Sequence, residues 1–156
     1  MTLKIGDKAP EFKLYDTDKT EVALSDYKGK NVVILFFPLA FTSTCTKELC
    51  AVRDDISNFS NLNAEVLAIS VDTPFTLGKF KEEQSLNFKL LSDFNKTTSK
   101  AYNSIYDTFI LGLQGVSKRS AFVVDKEGII RYAEVLEVAS EIPNLEAVKS
   151  TLAELN

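Results

Sequence analysis

Apolar residues along this chain form two kinds of pattern, and each kind predicts a different element. Continuous runs of aliphatic, β-branched and aromatic residues predict strands buried on both faces, which is typical of parallel sheets. Another strand is predicted at residues 129–133, after a glycine-ended turn at 125–128 that indicates a hairpin. The continuous runs are residues 32–37, 66–71 and 121–124, with a shorter candidate at 88–91.

Between these runs, apolar residues recur three or four positions apart and predict amphipathic helices. One helix begins near Thr44, its predicted N-cap, and keeps an apolar face over residues 49–59. A second has Thr73 as N-cap and Pro74 as its first residue. Further helices are predicted at residues 99–102 and at 145–155, the latter capped by Asn144.

The order of these elements predicts an α/β fold with a central mixed sheet flanked by helices on both faces. A thioredoxin-like sheet is the natural candidate. Residues 12–14 and 21–24 predict a β-hairpin extension at the N-terminus. Because the sequence contains no repeat, linker or low-complexity tract, residues 1–156 are expected to form a single domain.

The composition is that of a soluble globular protein: 45% of residues are hydrophobic, 26% are charged, and the net charge is −4. This charge gives no reason to expect nucleic acid or a membrane as a partner. The N-terminal sequence lacks an apolar signal core, and no apolar run approaches membrane-spanning length. We therefore expect a cytoplasmic protein.

The chain has no histidine and only two cysteines. Cys–His proteases, Ser–His–Asp hydrolases and histidine-containing zinc sites are thereby excluded, and two cysteines cannot supply a four-cysteine metal site. No phosphate-binding loop or dinucleotide-binding turn is present either. The sequence implies no metal and no cofactor, which leaves a reactive thiol or cysteines that only fill the core.

Cys45 is the candidate reactive thiol, because it follows the end of the strand at 32–37 and lies at the start of a helix. Backbone N–H groups and the helix dipole at such a place can hold a thiolate without an imidazole. The ring of Pro38 can shield this sulfur from bulk water. The hydroxyl of Thr42, three residues before Cys45, can bond the sulfur or an incoming oxygen ligand.

A thiolate that attacks a peroxide also needs fixed donors, since charge moves to the distal oxygen as the O–O bond breaks. The chain has three arginines. Arg119 starts the strand at 121–124 and can point across the sheet edge to Cys45. Arg131 alternates with apolar neighbours and is predicted to face solvent, while Arg53 lies two turns along the Cys45 helix and can brace the site.

The element Pro38-x-x-x-Thr42-x-x-Cys45, followed by Glu48 and by Arg119 before a Ser-Ala-Phe-Val-Val-Asp strand, resembles the peroxiredoxin family over nearly the whole chain. The resemblance implies reduction of hydrogen peroxide and organic hydroperoxides through a cysteine sulfenic acid, without metal, haem or flavin. Thioredoxin, glutaredoxin or a low-molecular-weight thiol would be the reductant, and the protein would be a monomer or homodimer. By position, Cys45 would be the peroxidatic cysteine, Thr42 and Arg119 its hydrogen-bonding partners, Pro38 the shielding residue and Glu48 the orienter of the arginine.

The role of Cys50 stays open at this stage. Its spacing from Cys45 resembles the bacterioferritin-comigratory (Q-type) branch, in which the second cysteine resolves the sulfenic acid as an intramolecular disulfide. The loop before Cys45 also resembles the E-type branch, whose members often rely on an external thiol. On an ideal helix, Cα atoms five residues apart stand ~8.7 Å from each other. A disulfide needs roughly 4.4–6.8 Å, so this bond requires the helix to unwind.

Two non-enzymatic interpretations remain beside the peroxidase. The chain could be a redox sensor in which oxidised Cys45 changes the helix, or a thioredoxin-fold binding module with inert cysteines. The absence of a CxxC motif disfavours a disulfide reductase. The aromatic stretch at residues 102–109 is either a loop packed onto the core or part of a dimer face.

Overall fold

A computed structural model describes residues 3–156 of the chain. Within this range the chain forms one seven-stranded sheet, five α-helices and two short 3₁₀ turns at Leu24–Tyr27 and Ile110–Gly112. The strands are β1 Lys13–Asp16, β2 Glu21–Ala23, β3 Asn31–Phe36, β4 Ala64–Ser70, β5 Lys89–Ser92, β6 Arg119–Val124 and β7 Ile130–Leu136. The helices are α1 Ser43–Asp54, α2 Ile56–Asn61, α3 Pro74–Gln84, α4 Thr97–Ala101 and α5 Leu145–Glu154.

The sheet is mixed, with the strand order β2-β1-β5-β4-β3-β6-β7. Its centre is parallel, since β3 pairs with β4 and β4 pairs with β5 in the same direction. The N-terminal hairpin β1–β2 adds to the β5 edge, and the hairpin β6–β7 adds to the other side of β3. The predicted fold class, mixed sheet and hairpin extension are therefore confirmed.

Two apolar layers cover the sheet, because every side chain of β3 is buried and successive ones point to opposite faces. Val33 and Leu35 face a layer formed by α1, α2, α3 and α5. Ile34 faces the other layer, which includes Phe12 from the N-terminal segment and Tyr102 from the end of α4. Helices thus lie on both faces as predicted, but the longer ones are all on one face.

Local sequence signals place several helix ends and turns correctly. The hydroxyl of Thr73 accepts the Thr76 N–H at 3.2 Å, with Pro74 as the first residue of α3. The side chain of Asn144 accepts the Ala147 N–H at 3.0 Å at the start of α5. No helix within residues 3–156 has the length and apolar character needed to cross a membrane.

Two expectations for the Cys45 helix are wrong. Thr42, not Thr44, is the N-cap, because its backbone is extended and its carbonyl accepts the Thr46 N–H at 2.9 Å. The apolar face predicted over residues 49–59 also belongs to two helices. The backbone departs from helical geometry at Asp55 (φ −112°, ψ 10°), and Lys149 holds that carboxylate at 2.6 Å.

The aromatic stretch at 102–109 divides into two parts. Tyr102 is fully buried, and its hydroxyl donates to the Pro10 carbonyl at 2.7 Å. Tyr106 and Phe109 are half-buried and stack with ring centroids 5.1 Å apart. The first part is therefore packed onto the core, whereas the second lies at the surface.

Candidate active site

Three segments that are distant in sequence meet at one edge of the sheet. The register pairs Phe36, the last residue of β3, with Ile69 near the end of the parallel β4. On its other side, Phe36 pairs with Ser120 at the start of the antiparallel β6. The loop after β3, the loop after β4 and the first residue of β6 are consequently neighbours at this edge.

Cys45 lies in the first turn of α1, directly after the loop that leaves β3. Its side chain is completely buried and carries a free thiol. The first intrahelical hydrogen bond runs from the Thr46 N–H to the Thr42 carbonyl. Because the N–H groups of Thr44 and Cys45 precede that bond, they remain available to the sulfur or to an oxygen atom beside it.

Arg119 faces Cys45 from the start of β6, although only 2% of its surface is exposed. Its Nη1 donates to Glu48 Oε1 at 2.8 Å, and its Nε donates to the Ala139 carbonyl at 3.0 Å. Burial by itself would lower the pKa of Arg119, but the attraction of Cys45 and Glu48 outweighs it and raises that pKa. A permanently charged guanidinium is therefore fixed next to the sulfur.

Glu48 occupies the same helix one turn after Cys45 and is completely buried. Burial raises the pKa of Glu48 to about 7, in spite of the opposing attraction of Arg119. Its Oε2 atom has no hydrogen-bond partner within the described residues. Glu48 therefore anchors the guanidinium of Arg119 through one carboxylate oxygen.

Pro38 and Thr42 belong to the loop between β3 and α1. Pro38 is buried, and Thr42 is half-buried at the N-cap. The Thr42 hydroxyl donates to the Leu39 carbonyl at 2.8 Å. Since its proton is used in this way, the Thr42 oxygen is free to accept a hydrogen bond from an incoming O–H group.

Cys50 is placed very differently, on a partly exposed side of α1. Its thiol donates to Gln84 Oε1 at 3.4 Å, at the last residue of α3. Arg53 donates to the Gln84 carbonyl at 2.6 Å and pairs with its neighbour Asp54. Both cysteines are free thiols in one continuous helix, so they are not joined in this conformation.

The site therefore brings five of the six predicted residues into one region: Pro38, Thr42, Cys45, Glu48 and Arg119. Cys50 faces α3 instead. Arg131 is exposed and pairs with Asp125, as predicted for a solvent-facing side chain. No group of three or more metal-ligating side chains occurs among residues 3–156.

Sequence reasoning missed Asp72, whose Oδ2 accepts the Ala40 N–H at 2.8 Å in the loop that precedes Cys45. A general rule could have identified it, because functional side chains gather beyond the carboxyl ends of parallel strands. Asp72 lies two residues after the end of β4, which is such a strand.

The comparisons with known proteins agree on one family. The model of the AhpC/TSA family matches residues 5–133. Alkyl hydroperoxide reductase E of Mycobacterium bovis is 41% identical over 136 residues, which cover 85% of this chain and 86% of that protein. The crystal structure of peroxidoxin BcpB from Mycobacterium tuberculosis matches with a TM-score of 0.87 and 29% identity, covering 99% of each chain. PrxQ from Xylella fastidiosa matches with a TM-score of 0.87 and 25% identity, covering 99% of this chain and 98% of that one.

Proposed function

This chain belongs to the AhpC/TSA family and is a thiol peroxidase of the peroxiredoxin type, and from that premise we propose that Cys45 is the residue that attacks the peroxide. One observation carries this assignment above the others. Arg119 is buried, charged and held by Glu48 next to a buried cysteine at a helix N-terminus. Non-enzymatic interpretations of the sequence are no longer needed.

The first chemical step is a displacement at oxygen. The Cys45 thiolate attacks the proximal oxygen of a hydroperoxide, the S–O bond forms and the O–O bond breaks. The leaving alkoxide or hydroxide takes up a proton and departs as alcohol or water. Arg119 and the free N–H groups of the first turn stabilise the charge that moves onto oxygen, and Thr42 accepts the hydrogen bond that orients the peroxide.

The second step is the resolution of the Cys45 sulfenic acid, and we propose that Cys50 performs it. The Cys50 sulfur attacks the Cys45 sulfur, a disulfide forms and water leaves. Since α1 is continuous from Ser43 to Asp54, the turn between the two cysteines must unwind first. A dithiol reductant of the thioredoxin type then returns both cysteines to thiols.

Peroxide choice and assembly belong to the same proposal. We expect hydrogen peroxide and small organic hydroperoxides to react, because the side chain of Cys45 is fully buried and larger molecules would not reach its sulfur. A reducing compartment such as the cytoplasm would supply the thiol reductant. The protein would act as a monomer or as a homodimer, with Tyr106 and Phe109 at the surface as candidates for a contact. If an external thiol resolves the Cys45 sulfenic acid, glutaredoxin or a low-molecular-weight thiol would take the place of Cys50.

The test is intact-mass spectrometry after one equivalent of hydrogen peroxide, on the parent and on the Cys45→Ser and Cys50→Ser variants. We expect the parent to lose two hydrogen atoms rapidly, as a Cys45–Cys50 disulfide requires. Cys50→Ser should instead gain one oxygen atom as a sulfenic acid that dimedone traps. Cys45→Ser should not react and should have no peroxidase turnover.

Other outcomes separate the parts of the proposal. If the parent gains one oxygen atom and forms as much dimedone adduct as Cys50→Ser, an external thiol resolves Cys45 and the role of Cys50 is wrong. If Cys45→Ser consumes peroxide at the parent rate, the assignment of Cys45 is wrong.

A further inference from the structure

The backbone of the loop from Pro38 to Thr42 is bonded by a side chain from outside the loop. Asp72, in the loop after β4, accepts the Ala40 N–H at 2.8 Å through Oδ2. Ala40 is buried at the middle of the loop, between the two residues proposed to shield Cys45 and to orient the peroxide. The position of both therefore depends on a contact made 32 residues further along the chain.

Asp72 is itself fixed by the ends of two parallel strands. The Ser70 hydroxyl donates to Asp72 Oδ2 at 2.6 Å, and the Asp72 N–H donates back to Ser70 Oγ at 3.2 Å. The Ser92 hydroxyl donates to the Asp72 carbonyl at 2.6 Å. Because three hydrogen bonds link Asp72 to β4 and β5, its carboxylate is a rigid support and not a freely moving surface group.

The loop needs such a support because its backbone is strained at Phe41. Phe41 has φ +69°, a left-handed conformation that costs free energy for a bulky side chain. Its ring packs 5.1 Å from that of Phe80 in α3, yet 48% of the residue stays exposed. A strained and half-exposed segment would relax if the hydrogen bond at the preceding residue were lost.

We propose that Asp72 is a positioning residue that holds the loop at Pro38–Thr42 in the conformation needed for peroxide attack at Cys45, and so sets the balance between attack and disulfide formation. The second half of this statement rests on the proposed function of Cys50. With the Asp72–Ala40 hydrogen bond intact, Thr42 and the first turn of α1 face the peroxide. With it broken, the first turn unwinds more readily and Cys45 moves toward Cys50.

The experiment compares Asp72→Ala and Asp72→Asn with the parent, each also in a Cys50→Ser background. Stopped-flow measurement gives the rate constant of Cys45 oxidation, and intact-mass spectrometry gives the rate of disulfide formation. We expect Asp72→Ala to slow the oxidation of Cys45 about tenfold and to speed disulfide formation several-fold. The sulfinic acid formed by a second peroxide should decrease accordingly. Asp72→Asn keeps an acceptor oxygen and should recover most of the parent behaviour.

Asp125→Ala is the matched control, because Asp125 also accepts backbone N–H groups in a loop, at the opposite end of the sheet. It should lower the stability without changing the ratio of the two rates. Asp72→Ala rates that both stay at the parent values, or that both fall equally and match Asp125→Ala, would overturn the positioning role.

The Cys50→Ser background keeps the two proposals apart. There the tenfold loss in Cys45 oxidation is expected even if Cys50 never resolves, since that step needs Cys45 alone. If the parent forms no disulfide but Asp72→Ala still slows oxidation, the Cys50 proposal is wrong and Asp72 retains its role in attack. If oxidation in this background is unchanged, the Asp72 proposal is wrong whatever Cys50 does.

Discussion

The two cysteines of α1 lie five residues apart on one helix, yet the protein surrounds them with opposite environments. Cys45 is completely buried at the helix start, next to a buried arginine and below free N–H groups. Cys50 is partly exposed, and within residues 3–156 its thiol bonds only to the side chain of Gln84. Cys45 thus faces a buried cation and free donors, whereas Cys50 bonds a neutral amide and has near it only the part-exposed Arg53, which is already paired with Asp54.

Under the proposed function, this difference assigns the reactivity of Cys45 toward peroxide to the surroundings of its sulfur. The second turn of α1 contacts β6 through Glu48 and Arg119. Further along, the helix contacts the end of α3 through Arg53 and Gln84. The two anchors differ in kind, because one is a buried ion pair and the other is a set of half-exposed hydrogen bonds. The proposed disulfide would require the helix to unwind between Cys45 and Cys50, and that stretch contains Glu48.

Arg119→Lys should reduce the difference in reactivity between Cys45 and Cys50 most strongly. Lysine keeps the positive charge beside Glu48 but loses the forked donors that can face Glu48, Ala139 and the sulfur together. We expect the rate constant of Cys45 oxidation to fall about 10²-fold, so that Cys45 approaches an unassisted thiol. Competition with a reference peroxidase measures the rate constant.

The matched control for that change is Arg131→Lys, which alters an exposed arginine paired with Asp125. It should leave oxidation within about twofold of the parent, since exposed ion pairs contribute little. Equal rate losses in the two variants would contradict a specific role for Arg119.

Glu48 should give the stability an unusual dependence on pH. Burial raises its pKa from 4.5 to about 7, so the folded protein binds a proton that the unfolded chain does not. This stabilisation is complete below pH ~4.5 and is lost as pH rises through about 7. We expect the free energy of unfolding to fall by about 2 kcal/mol between pH ~5 and pH ~7.5, as measured by urea denaturation.

The chain has no histidine, which is the side chain whose ordinary pKa lies between pH ~5 and pH ~7.5. Asp16, Asp55 and Asp125 have lowered pKa values and complete their titration below this range. In a Cys45→Ser background, which removes the thiolate beside Arg119, the Glu48→Gln variant should therefore show a nearly flat profile. A slope as steep as that of the parent in this variant would assign the dependence to another group.

Gln84→Ala should affect the reaction of Cys50 and not that of Cys45, and its effect should be smaller than those above. Removing the acceptor frees the Cys50 thiol, and a single neutral hydrogen bond of this kind contributes about 0.5–1 kcal/mol. Disulfide formation should become about threefold faster while Cys45 oxidation stays unchanged, as followed by rapid-quench mass spectrometry. Asn87→Ala is the control, since Asn87 contacts the same helix through the Arg53 carbonyl but does not touch Cys50. A change in Cys45 oxidation in Gln84→Ala would show that the two anchors are not independent.

The sequence predicted those features of the fold that depend on local patterns. β3 and β4 were predicted because their apolar runs are continuous, and Thr73 and Asn144 were predicted because each has one suitable cap position. The break at Asp55 was missed because the apolar spacing continues across it. Thr44 was chosen instead of Thr42 because consecutive threonine and serine residues offer several equivalent caps, and only the backbone conformation distinguishes them.

The candidate site was less accessible to local reasoning, since its contacts join segments far apart in sequence. The approach of Arg119 to Cys45 follows from the antiparallel pairing of β6 with β3, which no local pattern specifies. The role of Glu48 came only from the resemblance to a family. Asp72 and Gln84 act through contacts 32 and 34 residues away, so nothing next to them in the sequence indicated those partners.

The pairing of Arg119 with Glu48 has a consequence for how the protein is made. These residues are 71 positions apart, so the ribosome releases Glu48 and Cys45 well before Arg119. At ordinary rates of translation, the delay is ~4–14 s. During that time the nascent chain carries a cysteine without its cation and without the strand that presents it. If Arg119 has the role proposed above, sensitivity to peroxide is acquired late in synthesis, when β6 joins the sheet.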